Sequence, residues 1–289
     1  MSLEYDQKVQ RVMQIAKEAG KKILEIYNSE QDREVFIKGD DGPVTKADHA
    51  SNVYICKELH KHFPSYGILT EEILNESEFS VEEFQALQEK TKNWRDYEDF
   101  WMVDPLDGTK DFISGSGEFG IHLGHVHKDT PVFGVNYFPV DDIFYIGMKD
   151  KGAWKVKGSL WEQLHVSQAT SIQDLGLLAS KYRPNEKEDA VTKALGLGEP
   201  LRLGPTGLKI CLVASGVKGV FIVFSPKQSL WDTCSSEIIL REAGGEIGYF
   251  DGTNIDYRQS SGTKIAKPFI ASNGTFHIEI LVRLNKLVA

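Results

Sequence analysis

Residues 99–103, Asp-Phe-Trp-Met-Val, run straight into Asp104-Pro105-Leu106-Asp107-Gly108-Thr109. This junction restricts the fold more than any other part of the chain. Phe100, Trp101, Met102 and Val103 are too apolar for a loop and read as a buried strand. Pro105 cannot extend a central ladder, so the strand is expected to stop at Asp104. Asp104 and Asp107 lie three apart across the turn, which lets both carboxylates face one point, and the Leu106 carbonyl can join them. Such an all-oxygen group suits a hard cation such as magnesium. Gly108 lets the backbone approach a ligand closely, and the residues after it read as a short helix whose free N–H groups attract phosphate. Metal beside phosphate points to phosphoryl chemistry, in which the ion polarises a phosphoryl oxygen and acidifies a water that Thr109 could orient. Asp, Pro and Gly are equally ordinary turn residues, so these six positions alone are also compatible with a capped turn.

The rest of the chain narrows the choice. With 289 residues, 41% of them hydrophobic, it can bury a large core as one domain or two lobes. No apolar run approaches the roughly 20 residues that span a bilayer. The polar start, MSLEYDQKVQ, opens into a helical pattern and does not read as a signal peptide. A net charge of -9 argues against binding a nucleic-acid backbone. An anionic substrate then needs metals or local cations to neutralise it. Cys56, Cys211 and Cys234 are odd in number and widely separated, with no zinc or disulfide spacing; this usage points to the cytosol.

Val9, Val12, Met13, Ala16, Ala19, Ile23 and Ile26 recur at helical spacing, predicting a long amphipathic helix that ends near Tyr27. A short strand is expected from Glu34 to Lys38, followed by a turn-rich loop through Pro43 with the composition of a mobile segment. Thr45 is placed to cap the next helix, with Asp48 in its first turn, where a carboxylate also simply complements the helix dipole. Gly67 to Glu72 reads as a strand running into acids; side chains alternate, so only one of Glu71 and Glu72 should face a shared site. Residues 75–99 are acidic and read as a solvated helix and loop with Val81, Phe84 and Leu87 inward.

Gly115-Ser116-Gly117-Glu118-Phe119-Gly120 fits the GxGxxG dinucleotide pattern, with Asp141 and Asp142 beyond it. That pattern must follow a strand and open a helix, whereas here it precedes an alternating strand, and the reading is rejected. His122, His125 and His127 invite a metal reading; His125 and His127 share a strand face and read better as surface or packed histidines. Antiparallel strands are expected at Val132–Tyr137, Ile143–Met148 and Ala153–Val156. Beyond about residue 165 strands and helices alternate: a strand at Leu175–Ala179, a helix at Glu186–Leu195, a strand at Leu201–Leu203, then helices after Gly204-Pro205-Thr206-Gly207 and from Trp231. Asp232 at the start of the last helix reads as an N-cap. The chain is therefore divided into an N-terminal α+β lobe, 1–165, and a C-terminal α/β lobe, 166–289.

Three stretches taken together say more than each alone. Thr70-Glu71-Glu72, Asp104 to Thr109, and Trp231-Asp232-Thr233-Cys234-Ser235-Ser236-Glu237-Ile238-Ile239-Leu240 resemble, in order and separation, the three signature motifs of the inositol monophosphatase superfamily of magnesium-dependent, lithium-sensitive phosphomonoesterases. The similarity runs over nearly the whole chain. The resemblance implies Glu71, Asp104, the Leu106 carbonyl, Asp107 and Asp232 as ligands of two or three Mg2+ ions. It implies Asp48, in Val44-Thr45-Lys46-Ala47-Asp48, and Thr109 as the catalytic pair that activates water. It also implies a layered α/β/α/β/α sandwich, commonly dimeric. Within the superfamily, the Trp-Asp-Thr-Cys form of the last motif, Leu208-Lys209 and Phe224-Ser225-Pro226-Lys227 look most like the 3'(2'),5'-bisphosphate nucleotidases, which convert adenosine 3',5'-bisphosphate to AMP and phosphate. Inositol phosphates are the alternative substrates, and an inactive nucleotide- or metal-binding relative is the alternative role. Gly108, Thr109, Gly204 and Thr206 are the expected substrate contacts, with Lys209 or Arg183 as the cation for a second phosphate. Ser180-Lys181-Tyr182-Arg183 departs from the serine and histidine usual in nucleotidases.

Overall fold

The computed structural model describes residues 7–29, 35–37 and 43–288. Helix α1 (Gln7–Tyr27) buries Val9, Val12, Ala16, Ala19 and Ile23 of the expected stripe and adds Ile15, while Met13 and Ile26 are only partly buried. Strand β1 (Val35–Ile37) pairs antiparallel with β2 (Pro43–Thr45). The loop expected between them lies, over residues 38–42, outside the described residues. Helix α2 (Lys46–His62) starts at a Thr45 cap, and β3 (Gly67–Thr70) leads to α3 (Val81–Lys92). In α3 Leu87 is buried as expected and Phe84 half-buried, but Val81, the first helical residue between Ser80 and Glu83 of the capping box, is 60% exposed.

Strand β4 (Asp99–Asp107) does not stop at Asp104. Its pairing with β5 shifts register between Asp104 and Asp107, so Pro105 falls where the ladder is already irregular and its missing N–H costs nothing. The six-residue α4 (Thr109–Ser114) follows, then β5 (Gly120–His127), β6 (Thr130–Phe138), β7 (Ile143–Met148), β8 (Gly152–Lys157) and β9 (Leu160–Gln163). These make a seven-stranded sheet in chain order from β3 to β9, parallel only between β3 and β4. The glycine-rich stretch 115–120 precedes β5 and opens no helix, as the sequence requires.

The second half contributes β10 (Leu177–Ser180), α5 (Glu186–Leu195), β11 (Leu201–Leu203), α6 (Thr206–Ala214), β12 (Val220–Val223), α7 (Trp231–Glu242), β13 (Glu246–Tyr249), β14 (Phe269–Ser272) and α8 (His277–Val288). Its five strands form a second sheet in the order β11-β10-β12-β14-β13, in which β11, β10 and β12 run parallel. Helices α1 and α2 cover one face of the first sheet, α6 and α7 fill the space between the sheets, and α5 and α8 cover the far face of the second. The five layers follow from each sheet having two apolar faces to bury.

One relationship fixes the middle layer. Gly124, Gly134 and Gly147 are register partners on β5, β6 and β7, giving a row of three glycines across the sheet. Helix α7 lies in that row: a Cβ would stand 2.6 Å from Cys234 Sγ at Gly124, 2.8 Å from Ser235 Cα at Gly134 and 2.6 Å from Ile239 Cα at Gly147. Only hydrogen at these Cα atoms allows so close an approach. Helix α7, assigned by its position in the chain to the second lobe, therefore packs directly on the first. One core cluster takes in Met102 and Val126 together with Ile210, Phe221 and Ile239. No helix among the described residues is long and apolar enough to cross a membrane. The three cysteines are buried and unpaired.

Candidate functional site

Alternation along β4 sends Trp101 and Val103 to the core under α1 and α2, and Phe100 and Met102 to the core beneath α6 and α7. Asp104 falls on the second face. The irregularity that follows brings Asp107 back beside it, and the seating of α7 on the glycine row delivers Asp232 from 125 residues farther along. Each carboxylate is fixed by one backbone amide. Asp104 Oδ1 accepts the Leu106 N–H at 3.0 Å, Asp107 Oδ2 accepts the Gly207 N–H at 2.9 Å, and Asp232 Oδ2 accepts the Ser229 N–H at 2.9 Å. Asp104 and Asp232 also share a side-chain hydrogen bond.

Their electrostatics show how close they are. Burial pushes Asp104 well above the usual carboxylate range, and the charges of Glu71, Asp107 and Asp232 push it further. Burial and then Asp107 raise Asp232 to about 7. A group of acids that oppose one another's ionisation, Asp104 buried and Glu71, Asp107 and Asp232 half-buried, is relieved by a hard divalent cation, and with the Leu106 carbonyl they offer oxygen donors that could hold one. The residues present fit a magnesium-type site. An oxygen of Asp104, an oxygen of Asp107 and a ring nitrogen of His122 all lie within 4.8 Å of one another.

Alternation also separates the two glutamates. Glu71 lines the cavity with the three aspartates. Glu72 is buried, and its charge acts on Asp48. Asp48 does more than complement a helix dipole. It closes the capping box of α2, with Oδ2 accepting the Thr45 N–H at 2.8 Å and the Thr45 hydroxyl at 2.6 Å. Its Oδ1 accepts the Thr109 hydroxyl at 3.3 Å. Burial, only partly offset by the Thr45 hydrogen bonds, raises Asp48 to about 6. The cap that begins α2 thus holds the aspartate against the start of α4.

A cavity of about 370 Å³ opens over this group, and its lining includes Glu71, Asp104, Asp107 and Asp232 together with the cations Arg183, Lys227 and Lys264. Leu106, Gly108, Thr109, Gly204 and Thr206 also line it. Gly108 has φ 96°, and a side chain there would stand 2.8 Å from both the Glu118 carbonyl and Pro205 Cγ. Its backbone conformation and its packing both demand glycine. Lys209 corrects an expectation. Its side chain reaches the cavity wall but is 1% exposed, and its ammonium donates to the carbonyls of Leu203, Gly204 and Pro205 at 3.1, 2.6 and 2.7 Å. All three N–H donors are engaged, so Lys209 shapes the turn before α6 and does not present a cation to a second phosphate. Burial lowers it to about 8.

Residues 5–280 match the model of the Inositol monophosphatase family. The chain belongs to the inositol monophosphatase family. Among its relatives, the 3'(2'),5'-bisphosphate nucleotidase CysQ of Buchnera aphidicola is 32% identical over 87% of this chain and 88% of that protein. The CysQ structure from Bacteroides thetaiotaomicron superposes with a TM-score of 0.73 at 27% identity, covering 94% of this chain and 99% of that one. An inositol monophosphatase from Thermotoga maritima shares the fold at TM-score 0.77 and 22% identity, over 97% and 98% of the two chains. Family membership makes the protein a phosphatase acting on a phosphate ester.

Within this family member, His122 is the site residue that the sequence reading did not single out. It sits opposite Asp104 in the β4–β5 register and is 0% exposed. Burial lowers its pKa and the Asp107 charge opposes that. The pattern that would have found it is parity: residues 122, 124 and 126 share the face of β5 that looks toward α7. His125 and His127 lie on the other face and both bond Asp99 Oδ1, at 2.8 and 3.0 Å, as packed and surface histidines.

Proposed function

We propose that the protein is a Mg2+-dependent 3'(2'),5'-bisphosphate nucleotidase that hydrolyses adenosine 3',5'-bisphosphate to AMP and phosphate by direct in-line attack of water. The observation that carries the reading is the meeting of Glu71, Asp104, Asp107 and Asp232 at one cavity wall with the Thr109–Asp48 pair beside them. The named CysQ relatives supply the substrate class.

Glu71, Asp104, the Leu106 carbonyl, Asp107 and Asp232 would hold Mg2+, which when bound would supply Lewis-acid neutralisation of the phosphate and of the departing oxygen. The chain's own groups handle the proton. Thr109 donates its hydroxyl proton to Asp48 Oδ1, which leaves the Thr109 oxygen lone pairs to accept from a water and aim it. Asp48, raised to about 6, is still mostly ionised at neutral pH and can take the proton that passes through Thr109. Thr45 keeps that carboxylate from turning away. Arg183 and Lys227, both in the lining of the cavity, are the cations we assign to the second phosphate. The lobes 1–165 and 166–289, the cytosolic setting and a homodimer complete the reading.

The deciding experiment compares kcat/KM for adenosine 3',5'-bisphosphate, inositol 1,4-bisphosphate and inositol 1-phosphate with Mg2+, with and without lithium. Preference for the nucleotide with lithium inhibition is expected. Preference for an inositol phosphate would move the protein to the other branch of its family, and no phosphate release from any of the three would make it an inactive relative.

A further inference from the structure

The ring of His122 is closed off from water and both its nitrogens lack a hydrogen-bond partner. Nδ1 lies 4.0 Å from Asp104 Oδ2 and Nε2 lies 3.5 Å from Asp107 Oδ2. These separations are too long for hydrogen bonds. Taking one ring nitrogen only, as a single ion would, that nitrogen, one oxygen of Asp104 and one oxygen of Asp107 all lie within 4.8 Å of one another, a grouping that could hold a metal ion. The ring is also held in place. Gly207 packs so closely over it that a Cβ there would stand 2.9 Å from Nδ1 and nearer still to Nε2 and Cε1. The same Gly207 donates its N–H to Asp107 Oδ2, so one backbone unit fixes both the imidazole and the carboxylate beside it.

We propose that His122 is a nitrogen ligand of the Asp104–Asp107 ion position, so that this position takes a borderline ion such as Co2+ or Zn2+ more tightly than oxygen donors alone would. Carboxylates and carbonyls suit Mg2+, whereas imidazole suits the later first-row metals. The inference rests on the metal reading given under the proposed function. It concerns which ions the site accepts, and no step of the hydrolysis requires it.

The test uses the full chain stripped of metal. Mg2+ and Co2+ are titrated calorimetrically into the parent and into His122→Asn, and pulsed electron paramagnetic resonance of bound Mn2+ looks for coupling to an imidazole nitrogen. Circular dichroism checks folding, with His122→Gln as the second variant should the asparagine protein misfold. In the parent, Mn2+ should show the nitrogen coupling. In the variant it should vanish, with Co2+ affinity falling at least about tenfold while Mg2+ affinity changes less than about threefold. Nitrogen coupling absent from a parent that binds Mg2+ overturns the His122 assignment and leaves the oxygen site standing, as does an unchanged Co2+ to Mg2+ ratio. A parent that binds no divalent ion removes the metal reading itself and His122's role with it.

Discussion

Thr109 Oγ1 stands 3.3 Å from Asp48 Oδ1, across 61 positions of sequence, and joins the first turn of α4 to the capping box of α2. The Leu106 carbonyl, 3.4 Å from the same hydroxyl, is its second acceptor, and the two hold Thr109 Oγ1 at the edge of the acidic group. Thr109→Ala is expected to lower kcat by roughly a hundredfold or more with KM little changed, because the group acts on the attacking water and not on bound ester. Steady-state kinetics decide it; a change confined to KM would end the water-orienting role.

Asp107 holds the Gly207 amide with one oxygen and raises the pKa of Asp232 with its charge. For Asp107→Asn we expect at least about a hundredfold loss in turnover and weaker Mg2+ binding by calorimetry. Turnover within about threefold of the parent would mean that this carboxylate is not a ligand.

Arg183 and Lys227 line the cavity, while Lys209 is engaged with three carbonyls. Arg183→Ala and Lys227→Ala should raise KM for a bisphosphate more than for a monophosphate. Lys209→Met should instead lower the denaturation midpoint, since three carbonyls lose a buried donor. A Lys209→Met protein of parental stability with a raised bisphosphate KM would restore the cation role.

His125 is buried against Tyr66 and Trp101, with Lys8 on Nδ1 and Asp99 on Nε2, and Asp99 also bonds His127. Burial and then the Lys8 charge lower it to about 4, from about 6.5 in an unfolded chain. The unfolded state therefore binds more protons between those values. This contribution to stability is fully present above pH about 6.5 and is lost as pH falls through about 4, roughly 3 kcal/mol in all. Urea titrations across that window should show the slope in the parent and a flatter one in His125→Asn; equal slopes would refute it.

The glycine row gives a mechanical prediction. Gly134→Ala places a methyl against the backbone of Ser235, which cannot yield without shifting α7. A loss of roughly 2–3 kcal/mol by urea denaturation is expected. Metal affinity should fall with it, because Asp232 rides on the displaced helix. A variant with parental stability and metal binding would show that α7 has room.

Much of this was readable in advance because it depends on local rules. The Thr45 cap, the burial of residues 100–103 and the division of labour between Glu71 and Glu72 follow from capping and alternation, which act over a few residues. Pro105 misled the strand boundary because its missing N–H matters only where a ladder bond is due, and the register shift removes that demand. The fate of Lys209 depended on where three carbonyls of the preceding turn would point. The arrival of Asp232 depended on a helix settling on glycines about a hundred residues earlier in the chain, which neither segment announces by itself. Parity along β5 puts His122 on the face toward α7, but its partnerless ring and its place beside two aspartates follow only from the β4–β5 register.

Because α7 rests on bare Cα atoms at Gly124, Gly134 and Gly147, the gap between the first sheet and Asp232 is set on the sheet side by main chain alone, against the α7 backbone and the Cys234 and Ile238 side chains. A larger residue at any of these three sheet positions would lift the helix and carry the Asp232 carboxylate away from Asp104 and Asp107, so the width of the cleft is written into three missing side chains.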